Sequence, residues 1–151
     1  QIVNLTFHDF DVESHPDCEF DNVSLMDSYG TIEPSLCGYG IPSNIKSRDK
    51  WMLVELHTDG ELARPGFYAS FEAIDKIEND TFSMTTVAQA STLSTECGHP
   101  VYLNESSGDF ASPGYTADSN STYPHSTVCE WEIYVNEGMV IELTFNVFEL
   151  E

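Results

Sequence analysis

Carboxylates are the most abundant charged groups in this sequence, and their natural partners are cations. The chain has 151 residues, with 26 Asp and Glu against 5 Lys and Arg, which gives a formal net charge of −21. The run Asp9-Phe-Asp11-Val-Glu13 begins like an EF-hand loop, but Ser14 stands where that loop needs Gly. The acids therefore indicate metal ions, Lys or Arg of another protein, or solvent as partners.

The same charge balance excludes several classes of function. Five bases cannot build the basic face that binds nucleic acid, nor the basic cluster that holds a protein on anionic lipid. No apolar run approaches the roughly 18 residues that a membrane span needs. A composition of 40% hydrophobic and 12% aromatic residues is typical of a folded domain rather than of a disordered acidic tail.

The cysteines and sequons predict an extracellular protein, either secreted or part of an ectodomain. An even number of well-separated cysteines suggests two disulfides, and no CxxC motif is present. The four are Cys18, Cys37, Cys97 and Cys129. They allow three pairings, and spacing alone does not choose among them. Five N-x-S/T sequons mark candidate glycosylation sites at Asn4, Asn22, Asn79, Asn104 and Asn120.

No catalytic motif is present, so we expect no enzymatic activity from this chain. The sequence lacks the GxSxG, HExxH, Walker A and GxGxxG patterns. Its histidines are scattered and lie mostly in loops or beside proline; they are His8, His15, His57, His99 and His125.

Short β-strands must position the acids, because β-rich segments alternate with turn residues. These segments are 2–7, 22–26, 51–57, 66–74, 128–135 and 139–148. The pattern predicts an all-β, antiparallel sandwich or barrel. Aromatic residues on the strands are predicted to fill its core, namely Phe7, Phe10, Trp51, Phe67, Phe71, Trp131 and Phe145. Residues 75–96 are rich in Ser and Thr and are interpreted as a linker.

One internal repeat indicates that the chain holds parts of two copies of the same unit. Residues 2–13 and 140–151 share five identities at an offset of 138 residues: Leu5, Thr6, Phe7, Phe10 and Glu13. The chain thus begins inside one copy and ends inside the next. Two unrelated strands of similar composition are the alternative.

An ordered set of motifs resembles the CUB domain, an extracellular antiparallel β-sandwich of jelly-roll type. The first half carries Phe7-x-x-Phe10-Asp11-Val12-Glu13, Cys18-x-x-Asp21-x-Val23-x-Leu25, Cys37-Gly38-x-x-x-Pro42 and Gly66-Phe67-x-Ala69-x-Phe71. The second half carries Cys97-Gly98, Ser112-Pro113-Gly114-Tyr115, Tyr123-Pro124, Cys129-x-Trp131-x-Ile133 and Phe148-Glu-Leu-Glu151.

The resemblance implies a domain organisation and a disulfide pairing. Residues 1–74 correspond to the C-terminal part of a first CUB domain, 75–96 to a linker and 97–151 to the N-terminal part of a second, so the sandwich is fragmentary. The implied pairs are Cys18 with Cys37 and Cys97 with Cys129. Because each part contains what the other lacks, the two could dock as one sandwich in circularly permuted order.

The resemblance also implies a calcium site. Many CUB domains hold Ca²⁺ with a Glu, an Asp eight residues later, an Asp after a later strand and an upstream Tyr. Glu13, Asp21 and Asp59 match the acids of the first copy, and Tyr123 and Glu151 match residues of the second. In a docked sandwich Tyr123 would join the three acids. The alternative is that all three are ordinary solvated acids.

Two functions are consistent with these features. The first is an adhesion or protein-binding module from a tandem CUB array, whose calcium-ordered acidic loops bind a Lys or Arg of an extracellular partner. Asp17, Glu19 and Glu61 lie in loops suited to that contact. The second is a non-catalytic exosite segment of a secreted protease, and the internal repeat favours the first.

Overall fold

The residues that the structure describes form ten strands, and several of them, such as Trp51–His57, alternate between buried and partly buried positions. In the computed structural model, which describes residues 1–74, 97, 99–116 and 121–135, no helix is present. The strands are β1 Ile2–Val12, β2 Asn22–Asp27, β3 Gly30–Leu36, β4 Gly38–Tyr39, β5 Ile45–Lys46, β6 Trp51–His57, β7 Gly66–Ile74, β8 Val101–Leu103, β9 Ser107–Ala111 and β10 Val128–Tyr134. The predicted all-β sandwich is confirmed, and the predicted strand at 139–148 lies outside the described residues.

The strands form two five-stranded sheets that face each other. The first has the order β4-β1-β7-β9, with β5 also paired to β1, and the second has the order β3-β2-β6-β10-β8. All pairings are antiparallel except that of β8 with β10. The sequence predicted antiparallel pairing throughout. The exception arises because the chain crosses to the other sheet as β9 before it returns as β10, and such a crossover permits parallel neighbours.

Both sheets are shared between the two chain segments that flank residues 75–96. Seven residues of β10 pair with β6, from Val128 opposite His57 to Tyr134 opposite Trp51. In the other sheet β9 pairs with β7. The predicted docking of the two segments into one sandwich is confirmed by these pairings. Their assignment to the ends of two successive domains stays a prediction.

An aromatic cluster fills the space between the sheets. The Phe67 ring lies 5.4 Å from Phe7, 5.8 Å from Phe110 and 5.4 Å from Trp131, in edge-to-face contacts. Five of the predicted core aromatics are buried: Phe7, Phe10, Phe67, Phe71 and Trp131. Phe145 lies outside the described residues.

The prediction for Trp51 is wrong, because its side chain lies on the outward face of β6. Met52, Val54 and Leu56 occupy the inward positions of that strand and are fully buried. The two-residue period of a strand then directs Trp51 outwards. Its Nε1 donates to Glu132 Oε2 at 3.4 Å.

Two disulfides close loops within their own segments. Cys18 pairs with Cys37 at a Cα separation of 5.6 Å, and Cys97 pairs with Cys129 at 5.1 Å. Both separations are ordinary for disulfides. The pairing that the family resemblance implied is confirmed.

An ion pair between the buried Asp27 and the half-exposed Arg48 fixes the β2–β3 hairpin against the chain before β6. Asp27 is 3% exposed and accepts Arg48 Nη2 on Oδ1 at 2.6 Å and Nε on Oδ2 at 2.8 Å. The backbone N–H groups of Tyr29 and Arg48 donate to the same carboxylate. These charge-assisted bonds, led by the guanidinium, lower the pKa of Asp27 to about 2.

We expect Arg48→Met to lower the free energy of unfolding by about 1–3 kcal/mol, because the buried carboxylate loses its charged donor. The folded pKa of Asp27 lies below its unfolded value, so this stabilisation is present above pH ~4 and is lost as pH falls towards 2. Urea unfolding across that window should therefore show a smaller acid-induced loss in the variant. Lys46→Met, which removes an exposed base, is the control, and equal behaviour of both variants would contradict the assignment.

Gly66 joins the two segments at a point of close approach. Its φ is +94°, and a Cβ there would overlap Ser112 Oγ and lie 3.1 Å from Tyr123 Cδ1. Ser112 Oγ already accepts the Phe67 N–H at 2.9 Å. Only glycine satisfies both the backbone conformation and this contact.

Gly66→Ala should cost more stability than Gly30→Ala, and the difference measures the contact between segments. Gly30 has a φ of +112°, but a Cβ there meets no atom within 4 Å. Its substitution should cost about 1 kcal/mol through the backbone alone, whereas Gly66→Ala should add roughly 1–3 kcal/mol of overpacking. Chemical unfolding of both variants measures this, and equal losses would argue against the close approach of Ser112 and Tyr123 to Gly66.

Candidate metal centre

Three carboxylates meet at one end of the sandwich, where three strands begin or end. Glu13 follows β1, Asp21 precedes β2 and Asp59 lies two residues after β6. One carboxylate oxygen from each residue lies within 4.8 Å of the other two. Glu13 is 8% exposed and Asp21 is fully buried. We call these three residues the acidic cluster.

Backbone hydrogen bonds fix the Asp59 loop onto the cluster. Asp21 Oδ1 accepts the Asp59 N–H at 2.7 Å. Asp59 Oδ1 in turn accepts the Glu61 N–H at 2.7 Å, which closes a tight turn after β6. These two bonds hold the carboxylates of Asp21 and Asp59 in position.

Tyr123 brings the second segment into the cluster. Its hydroxyl accepts the Glu13 N–H at 3.1 Å and also bonds the Asp21 side chain. Burial, followed by the bond to Asp21, raises the pKa of this phenol well above its usual range. Its own N–H donates to the Arg64 carbonyl at 3.0 Å. The phenol thus stays neutral and links the backbone of Glu13 to the side chain of Asp21.

Residues just after Tyr123 clasp the other side of the Asp59 loop. Thr58 N–H donates to the Thr127 carbonyl at 2.9 Å, and Thr127 N–H donates to Thr58 Oγ1 at 2.8 Å. Ser126 N–H donates to the Asp59 carbonyl at 2.5 Å. Sequence reasoning missed Thr58, Ser126 and Thr127, because lone Ser and Thr residues in turns carry no signal for a contact about 69 residues away.

The cluster concentrates negative charge, and no Lys or Arg among the described residues forms an ion pair with it. Burial first, and then the charges of Asp21, Asp59 and Glu61, raise the pKa of Glu13. None of the ion pairs between described residues involves a member of the cluster. Glu13 Oε2 and Asp21 Oδ2 are buried without a hydrogen-bond partner in the part of the chain that the structure describes. Such orphaned oxygens fit a bound cation.

The distances suit an ion with oxygen ligands. Ca²⁺ binds its ligands at about 2.3–2.6 Å, so two oxygens on opposite sides of one ion lie roughly 5 Å apart. The three oxygens, all within 4.8 Å of one another, can therefore contact a single Ca²⁺. The residues present fit the ion that the resemblance implies.

An exposed acidic loop lies beside the cluster and is organised by His15. The His15 Nδ1 accepts the N–H groups of Asp17 and Glu19 at 3.3 and 3.4 Å. Its ring also contacts that of Phe20 in a tilted arrangement, with the ring centroids 4.4 Å apart. The side chains of Asp17 and Glu19 are exposed, as is that of Glu61 on the facing loop.

Four of the five predicted metal residues are brought together: Glu13, Asp21, Asp59 and Tyr123. Tyr123 uses its hydroxyl on the protein, as an acceptor from Glu13 and a partner of Asp21. Glu151 lies outside the described residues.

The predicted glycosylation sites differ in access. Asn4 is 6% exposed, and its Nδ2 donates to Glu72 at 2.5 Å, so the folded sheet leaves no room for a glycan there. The prediction for Asn4 therefore conflicts with its place in β1. Asn22 is partly buried, with its Nδ2 donating to the Cys18 carbonyl at 3.3 Å, and Asn104 is exposed. Asn79 and Asn120 lie outside the described residues.

One Ser–His contact occurs on the outer face of the first sheet, but its surroundings do not suit catalysis. His8 Nε2 lies 2.7 Å from Ser70 Oγ. Burial lowers the pKa of His8, and Asp109 opposes that effect. Ser70 is paired with Thr6 and with Asp109 in the sheet, whereas His8 lies at the irregularity of β1 between Phe7 and Asp9.

Comparisons with known proteins identify the family. The CUB domain family model matches residues 1–71 and 97–151. The chain is 33% identical to human cubilin over 154 aligned residues, and 28% identical to human Tolloid-like protein 2 over 152. It is also 26% identical to the dorsal-ventral patterning protein tolloid of Drosophila melanogaster over 172.

These alignments cover 99–100% of this chain but only 4%, 13% and 16% of the respective relatives. No solved structure matches the chain significantly. Among the described residues, no helix is long and apolar enough to cross a membrane. Two disulfides and the matched family confirm the predicted extracellular location. With most of its length matched by that family model, the chain belongs to the CUB domain family.

Proposed function

We propose that this chain is an extracellular protein-binding module that binds Ca²⁺ at the acidic cluster and uses the ordered loops to hold a Lys or Arg of a partner. The observation that carries the proposal is the meeting of Glu13, Asp21 and Asp59, with two buried oxygens left without a partner. Three converging carboxylates repel one another, and a divalent cation removes that repulsion.

Calcium suits this site better than the transition metals. All three acids offer hard carboxylate oxygens, and neither Cys nor His belongs to the cluster. When bound, the ion would supply positive charge that joins the Glu13, Asp21 and Asp59 loops. Tyr123 would help to keep Asp21 in place, because its hydroxyl bonds that side chain.

A basic group of the partner would be recognised by carboxylate oxygens that point outwards. Asp59 is only partly buried, and Glu61, Asp17 and Glu19 are exposed around it. A compact Lys ammonium, with three donors, can bond several such oxygens at once. Fixing these oxygens in advance lowers the ordering cost of binding, which is the physical use of the ion.

Calcium should raise the thermal midpoint of the non-reduced chain relative to chelator. Binding only to the folded state stabilises it by about 2.7 kcal/mol at a free concentration 100-fold above Kd. Asp59→Asn should abolish the shift, since it removes a ligand charge. Asp17→Asn removes an equal charge from an exposed position and should keep the shift. A thermal midpoint of the unsubstituted chain that is the same with calcium and with chelator would refute the metal site.

Binding of a short Lys-containing peptide should strengthen when calcium is added. A chain of net charge −21 attracts any cation, and calcium weakens that general attraction by reducing the charge. The two modes therefore have opposite signs, and a titration with and without chelator distinguishes them. Asp59→Asn should remove the calcium-dependent part, while affinity that only falls with calcium would indicate unspecific attraction.

A further inference from the structure

A cleft of about 260 Å³ opens beside the acidic cluster. Its lining is mainly apolar and includes Val12, Tyr39, Leu62 and Arg64. Val12 directly precedes Glu13, and Leu62 follows Asp59 by three residues. The same two stretches of chain therefore line the cleft and carry cluster carboxylates, so the cleft and the cluster are neighbours at this end of the sandwich.

Two large apolar side chains border this cleft in contact with solvent. Tyr39 is 65% exposed and Leu62 is 62% exposed. Leu62 also has a φ of +30°, a backbone conformation that residues other than glycine and asparagine rarely adopt. A strained backbone that presents an exposed leucine is costly for stability alone, and such strain is typical of functional loops.

The floor of the cleft is a neutralised ion pair. Arg64 donates through Nε and Nη2 to the two oxygens of Asp11 at 2.8 and 2.9 Å. This bidentate pair cancels the charge that would repel a basic partner and holds the guanidinium flat, with a face on which an aromatic ring can stack. The Arg64 carbonyl also accepts the Tyr123 N–H, which ties the floor to the cluster.

We infer that this cleft is a second subsite, which receives an aromatic side chain of the partner next to the Lys or Arg bound at the acidic cluster. The inference rests on the proposed function and specifies its ligand as a protein segment carrying both groups. The negative charges of Glu13, Asp59 and Glu61 would attract the basic side chain of the partner. The aromatic ring of the partner would pack against Tyr39, Leu62 and the face of the Arg64 guanidinium.

Two capped peptides test the subsite, with the sequences Gly-Lys-Gly-Phe-Gly and Gly-Lys-Gly-Ala-Gly. Side chains two residues apart point the same way in an extended peptide, so Lys and Phe can reach the two subsites together. Titrations of the ¹⁵N-labelled chain in calcium, followed by NMR, give both affinities. We expect the Phe peptide to bind about tenfold more tightly, since it buries most of one aromatic side chain.

Tyr39→Ala and Leu62→Asn should each reduce that preference to about twofold or less, without weakening the binding of the Ala peptide. Asparagine tolerates the positive φ at position 62, so the second variant removes the apolar group and relieves strain. Tyr102→Ala is the matched control, because Tyr102 is 70% exposed on β8 and does not line the cleft. It should keep the full preference.

The outcomes separate this inference from the function on which it rests. Calcium-dependent binding of both peptides with equal affinity would overturn the aromatic subsite and leave the proposed function intact. A preference that survives both variants would place the aromatic ring elsewhere and also overturn it. Failure of the Ala peptide to bind in calcium would refute the proposed function, and the inference with it.

Discussion

The pairing of β6 with β10 is the interaction on which the rest of the sandwich depends. It joins two segments along seven residues each and places Trp131 against Phe67 in the core. Without it, both strands would expose open hydrogen-bonding edges. Closing so long a loop costs chain entropy, which burial of the aromatic cluster must offset. Because the same pairing brings Thr127 to Thr58, the strands that form the core also assemble the acidic cluster.

Buried acids in this fold are stabilised in two different ways. Asp27 and Asp11 each bind an arginine through two oxygens, so their charges are compensated within the chain. The Asp21 carboxylate accepts the Asp59 N–H and bonds the Tyr123 hydroxyl, and none of the ion pairs between described residues includes Glu13 or Asp21. With five bases in the whole sequence, few cations are available for such pairing. Glu13 and Asp21 gather with Asp59 at one point, which is the basis for proposing an external cation there.

The two proposed subsites differ in the physical source of their selectivity. At the acidic cluster, fixed carboxylates would select a basic group by its charge, and the affinity would depend on salt and on calcium. At the neighbouring cleft, Tyr39 and Leu62 would select a partner side chain by the apolar surface that it buries, and this contribution to affinity would depend little on salt. A partner that satisfies both gains specificity that neither surface supplies alone. Arg64 matters to this arrangement because its pairing with Asp11 removes a positive charge from between the two subsites.

Features that depend on local pattern were predictable from the residues alone. β-rich composition between turn residues predicted β6 and β7 with the bounds that the structure has, and the family motifs predicted both disulfides. The same motifs selected Glu13, Asp21 and Asp59 from 26 acids. The strands that were not predicted are β3, β4, β5, β8 and β9. Four of them have only two to five residues, which is too few to show a period, and β3 does not alternate.

The contacts between distant groups depend on the folded arrangement of the two sheets. Tyr123 bonds Glu13 across 110 residues, Ser112 fits against Gly66, and the cleft beside Leu62 forms from separate stretches of chain. Trp51, assigned to the core by its residue type, turned outwards because the register of β6 buries its neighbours. Such contacts follow from sheet register and from the crossing of the chain between sheets, and these are set by the sum of all long-range packing rather than by any local run of residues.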